Sequence, residues 1–427
     1  MSNKKEGPPK LSYVQLGQLA DITMGQSPDS SGYNTNQKGL PFLQGCAEFG
    51  RLSPIAKVYC NPPLRISRPE SILISVRAPV GTQNWGEESY CIGRGLSAIK
   101  GKQGIANTKF LSYAISDNIN FLHRRSQGST FLAVGANDLR VFPIPNFDFH
   151  SQDKISVIIG SIDNAIEKTE ALIEKYQKIK DGLMHDLLYR GVGHDGKLRS
   201  SRERSPELYQ ETPMGWFPKD WELKKVKDVF NIDSGITLGS HRRPKKNARP
   251  YLRVANVFKE EISLKDVSLL EATDNEAFRY ALKTYDLLVV EGHANIQQIG
   301  RCAIVDNNAE GLLFQNHLFR LQAKTISPYY GMYYLNSAIA RKYWEMNCST
   351  SSGLNTINRT MLGNMPFFVP AKAEQASIEE KLNGISLFLK NEIDVLGKLR
   401  AQKIGLMNDL LTGKVHIESK DTEATHV

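Results

Sequence analysis

Gly182-Leu183-Met184-His185-Asp186-Leu187-Leu188 returns as Gly405-Leu406-Met407-Asn408-Asp409-Leu410-Leu411, an offset of 223 residues with only the fourth position changed. A heptamer repeated this closely marks an internal duplication. The repeat continues upstream. Ile155, Ile159, Ile162, Ile166, Ile173, Tyr176 and Leu183 are matched 223 residues later by Ile378, Leu382, Ile385, Leu389, Leu396, Leu399 and Leu406. Spacings of four and three describe an apolar seam of coiled-coil type. Thr169 and Lys180 interrupt the first seam, and Glu392 and Lys403 interrupt the second at the same places. Neither stretch contains proline, while Pro143 and Pro145, or Pro366 and Pro370, stand just before it. Each reads as a helix of about 54 Å if about 36 residues take part. Two matched stripes of equal length can bury one another, so a paired coiled coil is expected over a lone bundle helix.

Weaker echoes precede the helices. Pro41-Phe42-Leu43-Gln44 matches Pro250-Tyr251-Leu252-Arg253, and Ser71–Val76 matches Asp286–Glu291. Ile92-Gly93-Arg94-Gly95-Leu96 matches Phe314-Gln315-Asn316-His317-Leu318, and Trp221 opens the second copy as Tyr13 opens the first. These short β-type runs between Gly, Pro and Asn predict strand-rich globular units. The expected class is α+β: two strand-rich domains separated by two long helices. The expected boundaries are 12–150 for the first domain, 151–190 for the first helix and 191–220 for a linker. The second domain then takes 221–370, the second helix 371–417, and a flexible tail 418–427. The linker assignment rests on a polar stretch rich in Gly and Pro, from Gly191 to Pro218.

Composition narrows the function. The 427 residues carry 54 Lys and Arg against 45 Asp and Glu, a net charge of +9. That mild excess suits a phosphate-bearing partner without demanding one. Five cysteines, none at C-x-x-C spacing, disfavour a disulfide framework and a zinc ribbon, and a reducing cytoplasm is the expected location. No apolar run is long enough to span a bilayer, so no membrane partner is expected. No catalytic, cofactor-binding or metal site is predicted. Gly191–Leu198 nearly fits a P-loop, but Leu198 stands where a magnesium-holding hydroxyl belongs and no strand precedes it. In Asn61-Pro62-Pro63-Leu64, Leu64 cannot stack on a flipped base as the aromatic of an amino-methyltransferase does. The nine histidines form no ligand cluster.

Two diverged units held apart by stiff helices suit a target of two short DNA words with a fixed gap. Arg suits guanine, Asn and Gln suit adenine, and hydroxyls suit phosphates. Turn-borne candidates in the first unit are Gln44, Arg77, Thr82, Arg94, Ser129 and Thr130, with Gln83, Gln127 and Asn137 nearby. In the second they are Arg253, Asn256, His293, Asn295, Gln297, Gln298, Ser351, Ser352 and Asn355, with Asn316 nearby. Arg242-Arg243-Pro244-Lys245-Lys246 is a basic loop suited to the DNA backbone.

Met24-Gly25-Gln26-Ser27-Pro28, Gly39–Gly45, Ser75–Gly81, Ile92–Gly95, Gly128–Phe131 and Pro143–Pro145, followed by the long helix, resemble the first target-recognition domain of type I restriction–modification specificity subunits. Gly235, Pro250–Arg253 and Met365-Pro366 follow the same layout more loosely. The resemblance implies two target-recognition domains and two helical regions that pair antiparallel. It implies double-stranded DNA as a partner, two methyltransferase subunits docked on the helices, and motor–nuclease subunits recruited through them. Methyl donor, ATP and magnesium would then be used by those partners and not by this chain. One departure is expected: the Glu-Gln pair that opens the helical region is present as Glu374-Gln375 and reads as lost from the first copy. Two other readings stand beside this one: a coiled-coil adaptor that binds only protein, and a self-sufficient nuclease or methyltransferase with an unrecognised site.

Overall fold

A computed structural model describes residues 11–126, 133–351 and 353–415. The chain divides into two compact units: one takes the residues up to Ala171 and those from Asp394 on, the other Leu172–Ile393.

In the first unit Ala20–Met24, Leu96–Gly101, Ser71–Ser75 and Gln83–Gly86 form a four-stranded antiparallel sheet in that order. Ser71–Ser75 lies inside it and is buried along its whole length. Its unbroken apolar centre, Ile72-Leu73-Ile74, fits a strand covered on both faces. A second sheet runs Tyr33–Asn34, Val58–Cys60, Leu40–Leu43, Cys91–Ile92, the last pair parallel. The second unit repeats this plan. Phe230–Ser234, Leu318–Ala323, Leu287–Val290 and Cys302–Ile304 form the antiparallel sheet. Ser268–Glu271, Ala248–Leu252 and Leu313–Phe314 form the other, again with a parallel last pair.

The registers agree with the sequence echoes residue by residue. Leu43 faces Ile92 as Leu252 faces Phe314, and Ile72 faces Ile99 as Leu287 faces Leu321. One glycine in each copy permits the junction of the two sheets. A Cβ on Gly25 would sit 2.1 Å from the Gly93 carbonyl oxygen, and one on Gly235 would sit 2.2 Å from that of Phe314. Neither position can carry a side chain without moving backbone.

The long helices span Phe149–Tyr189 and Lys372–Leu411. Asp148 caps the first: its carboxylate accepts from the Ser151 amide at 2.9 Å and from the Ser151 hydroxyl at 2.7 Å. Those bonds hold the Asp148 carboxyl below its ordinary range. Both helices are followed by a glycine in the left-handed region, Gly191 and Gly413. The helices pack together and run antiparallel. Asp163 meets Lys403 in the first unit, and Tyr176 meets Phe388 with ring centroids 4.4 Å apart in the second.

The seam differs from a simple two-helix zipper. Ile155 and Ile159 are fully buried in the first domain's core among Phe110, Leu111 and Phe142, together with Leu410 and Leu411 from the repeated heptamer of the second helix. Ile378 and Leu382 lie in the second domain's core with Met184, Leu187 and Leu188, the heptamer of the first helix. These four seam residues therefore seat each helix's opening turns on its own domain, and the other helix's closing heptamer completes that core. Leu389 is buried, and Ile162, Ile166, Ile173, Ile385 and Leu396 are half-buried along the shared stretch.

The segment read as a linker, 191–220, contains regular structure. Tyr209–Thr212 and Gly215–Pro218 form a β-hairpin. Tyr209, Met214 and Phe217 are buried, and Phe217 stacks on Phe368 at 3.6 Å between centroids. Glu374 accepts from the Val192 amide at 2.8 Å and from Trp221 Nε1 at 3.2 Å, and forms an ion pair with Arg199. The glycines and prolines of this stretch shape turns; its spaced apolar residues hold it down. The 418–427 tail lies outside the described residues.

Candidate nucleic-acid interface

In each domain the two sheets meet along a rim where loop backbone continues the ladder. In the first unit the Gly95 amide donates to the Gln44 carbonyl at 3.2 Å and the Val76 amide to the Gly95 carbonyl at 2.9 Å. The Val134 amide then donates to the Val76 carbonyl at 2.9 Å, and Arg77 bridges Ala133. Four loops distant in sequence are thus laid side by side. Gln44, Arg77 and Arg94 project from neighbouring positions on this rim, and all three are exposed. Ser27 ties Gln44 to the Arg94 loop: its hydroxyl donates to Gln44 Oε1 at 3.1 Å and accepts from the Arg94 amide at 3.3 Å. The Ser27 bond occupies one lone pair of the Gln44 carboxamide oxygen, and among the described residues no hydrogen bond engages the Gln44 amide nitrogen. Neither Arg77 nor Arg94 makes an ion pair among the described residues. Thr82 is exposed beside the Arg77 turn, its hydroxyl on the Pro79 carbonyl at 3.3 Å. Gln83 is spent on Ser112 and Ser116 of a neighbouring helix. Asn137 is exposed. Gln127, Ser129 and Thr130 lie outside the described residues.

The second unit builds the same rim with other side chains. The Gln315 amide donates to the Leu252 carbonyl at 3.1 Å, as Gly93 does to Leu43 at 2.7 Å. The Glu291 amide donates to the His317 carbonyl at 3.0 Å, and Ile357 to Glu291 at 2.9 Å. The frame therefore equates Gln44 with Arg253, Arg94 with Asn316, Gly95 with His317 and Val76 with Glu291. Arg253 is held by Asp266 at 2.6 Å. His317 Nδ1 lies 2.7 Å from Glu291 Oε2, a pair that the sequence reading did not single out. Aligning the Gly95 echo with His317 was the signal that could have found it.

Several of the residues expected at the DNA are engaged within the protein. Asn256 is buried: its Oδ1 accepts from the Arg253 amide at 2.8 Å and its Nδ2 donates to the Ser263 and Asp266 carbonyls. It builds the turn under Arg253 and has no group left for a base. Asn355 donates to the Ala294 carbonyl at 2.9 Å and accepts from Thr350, so it pins the hairpin Ser349–Thr356 against Gly292–His293. Arg242 is turned inward onto Glu276, with nitrogen–oxygen distances of 2.9 and 2.6 Å. That pairing raises the arginine's pKa and pulls the Glu276 carboxyl down to about 2.

The rest of the basic loop stays outward. Arg243, Lys245 and Lys246 are exposed. The loop is tethered instead through the Lys245 and Asn247 amides, which donate to the Glu271 carboxylate at 2.8 and 3.0 Å and lower its pKa. His293 is half-buried and accepts from the Asn295 amide at 3.0 Å, and Asn295 in turn accepts from Gln297 at 2.9 Å. Gln297 reaches Glu345 at 2.8 Å, and Gln298 accepts from Arg301 at 3.0 Å. Ser351 ends a strand of the hairpin. Ser352 lies outside the described residues.

Among the described residues no group of His, Cys, Asp and Glu could hold a metal ion, and no helix is long and apolar enough to cross a membrane. The geometry is that of two homologous side-chain platforms on one backbone plan. The model of the type I restriction–modification DNA specificity domain matches the chain twice, over residues 8–175 and 218–395. The chain belongs to this family, the specificity subunits of type I restriction–modification systems.

A putative type I restriction enzyme MjaX specificity subunit from Methanocaldococcus jannaschii is 39% identical over 196 residues, covering 45% of each chain. The chain thus spans about half the length of that relative. The MjaVIII specificity subunit of the same organism is 25% identical over 323 residues, 74% of this chain and 72% of its own. The Salmonella potsdam StySPI specificity subunit is 24% identical over 264 residues, 59% of this chain and 53% of its own. The fold matches the S subunit of a type I system from M. genitalium, with a TM-score of 0.59, 15% identity and coverage of 96% and 98%. It also matches a chain from work on complex assembly and conformational transition of the type I R-M system, at 0.54, 14%, 96% and 100%.

Proposed function

We propose that this chain reads an asymmetric bipartite DNA site, one half-site per domain, and docks methyltransferase subunits on its paired helices. The observation that carries the reading is the repeated rim: one backbone frame presents Gln44 and Arg94 in one domain and Arg253 and Asn316 in the other. Equal frames imply the same mode of approach to DNA. Unequal side chains imply different words. The exposed Arg243, Lys245 and Lys246 supply the sequence-independent grip. The helices, 41 and 40 residues long, are each about 60 Å by their rise and set the gap that is measured but not read.

Specificity subunits are non-catalytic, and on this reading methyl donor, ATP and magnesium are handled by methyltransferase and motor–nuclease partners in the cytoplasm. The test is to assemble the chain with its methyltransferase, expose DNA, and sequence the methylated bases. Two unlike half-sites at one fixed spacing are expected. A single contiguous word, or a palindrome, would overturn the proposal.

A further inference from the structure

Lys180 and Lys403 occupy equivalent places in the two repeats, each where the apolar seam breaks. The structure gives each lysine a carboxylate, by two different routes. In the first unit Lys403 Nζ lies 2.6 Å from Asp163 Oδ1, on the opposing helix. Tyr113, from the recognition-domain helix Thr108–Asp117, donates its hydroxyl to the other oxygen of Asp163 at 2.8 Å. Burial and that carboxylate push the Tyr113 pKa up, which keeps it a donor.

In the second unit the position equivalent to Asp163 is Ser386, so the opposing helix places a hydroxyl where the first unit has an acid. Glu260 supplies the acid from a loop of the recognition domain. Its Oε2 lies 2.5 Å from Lys180 Nζ and 3.4 Å from Ser386 Oγ. Tyr333 completes this node, its hydroxyl 2.7 Å from Asn383 Oδ1 and 3.3 Å from Ser386 Oγ. Glu260 is held at φ +66°, a conformation that favours glycine, with its amide on the Cys302 carbonyl at 2.9 Å. A costly backbone state kept at a long acidic residue points to a job for its side chain.

Each node therefore joins three parts: both helices and one recognition domain. Beyond the ends seated in the domain cores, the half-buried Ile and Leu positions of the shared stretch, spaced by three and four, discriminate only weakly against a slide of one turn. A buried ammonium is not, because it is satisfied in one register only and is expensive when unpaired. The Lys180 node is the more buried, with side-chain exposures of 10% and 13% against 30% and 35% at Lys403 and Asp163.

We propose that the two lysine-centred nodes fix the register of the paired helices and the seat of each domain on them, making the half-site spacing single-valued. The spacing clause rests on the reading of the helix pair as a gauge. The register clause does not. Register is read by cysteine crosslinking in a C46S/C348S background. The pair Tyr176→Cys with Phe388→Cys reports the native alignment, and Tyr176→Cys with Glu392→Cys or with Gly384→Cys reports a slide of one turn either way.

With the nodes intact, only the native pair crosslinks. In K180M/E260Q a slid pair gains crosslinking, and the assembled complex methylates sites with an added second spacer length. If K180M/E260Q does not fold, K403M at the more open node is read the same way. A folded variant that crosslinks only in the native register overturns the proposal. A slid register with unchanged spacer length overturns the gauge reading and leaves the nodes as register locks.

Discussion

Gln152 and Gln375, 223 residues apart, are both buried near the start of a long helix, and both tie that helix to its own domain by the same pattern of bonds. Gln152 Oε1 accepts from the Asn107 amide at 2.9 Å, while its Nε2 donates to the Phe147 carbonyl at 2.9 Å and the Ile105 carbonyl at 3.3 Å. Gln375 Oε1 accepts from the Ser327 amide at 3.0 Å, and its Nε2 donates to the Pro370 carbonyl at 2.8 Å. The glutamine is thus retained in both copies. Only the acid before it is lost, Ser151 standing where the second copy has Glu374. Because each amide satisfies buried backbone groups, Q152A and Q375A should each cost about 1–3 kcal/mol. Urea unfolding followed by hydrogen exchange should place the loss of protection in the domain that holds the substituted residue.

Arg94 and Arg77 stand on adjacent loops of the first rim without an ion-pair partner among the described residues, so substituting either disturbs no internal ion pair. R94A is expected to relax one position of one half-site by about 1–3 kcal/mol of discrimination, leaving the other half-site and the spacing unchanged. Sequencing of methylated bases reads both halves in one experiment. Equal loss in both halves would mean that Arg94 supports the fold. N256A is the contrasting case: it should lower stability and recognition together, since Asn256 holds the turn beneath Arg253.

What the sequence made legible follows physical range. The duplication, the two helices and the strand echoes are local patterns, and Leu43–Ile92 and Leu252–Phe314 pair as the aligned echoes imply. The sequence could not distinguish a polar residue facing solvent from one facing the protein. Asn256 sits in a turn like Gln44 and Asn355 in a hairpin strand, yet both amides donate to backbone carbonyls. The hairpin at Tyr209–Pro218 was hidden because the stretch from Gly191 is mostly polar and punctuated by glycine and proline, while three spaced apolar residues do the holding. Glu260 was beyond reach altogether, since only folding brings it across 80 residues to Lys180.

Arg243, Lys245 and Lys246 should act through charge alone. Replacing all three by alanine should weaken binding to every duplex by a similar factor and lower the salt dependence, by up to about three in the slope of log K against log salt. Titrations of the assembled complex at several salt concentrations measure both. A change in the recognised sequence would instead place these residues at base edges.

Arg242 and Glu276 give the basic loop a pH-dependent anchor. Glu276 has its folded pKa depressed to about 2 from an ordinary 4.5, chiefly by the Arg242 guanidinium and then by the Thr273 amide. A depressed carboxylate pKa favours the folded loop at every pH above the unfolded value, and that advantage is lost as pH falls through the folded one. The anchor should therefore be complete at neutral pH and fade between about pH 4.5 and pH 2. Both side chains are partly solvated, so the effect belongs to the loop and not to global stability. In E276Q the loop should lose this dependence and exchange its amides faster at neutral pH, while R242A should return the Glu276 titration toward its ordinary range. Carboxyl NMR titration of wild type and R242A decides the matter: an unmoved Glu276 pKa in R242A would assign the depression to the Thr273 amide alone.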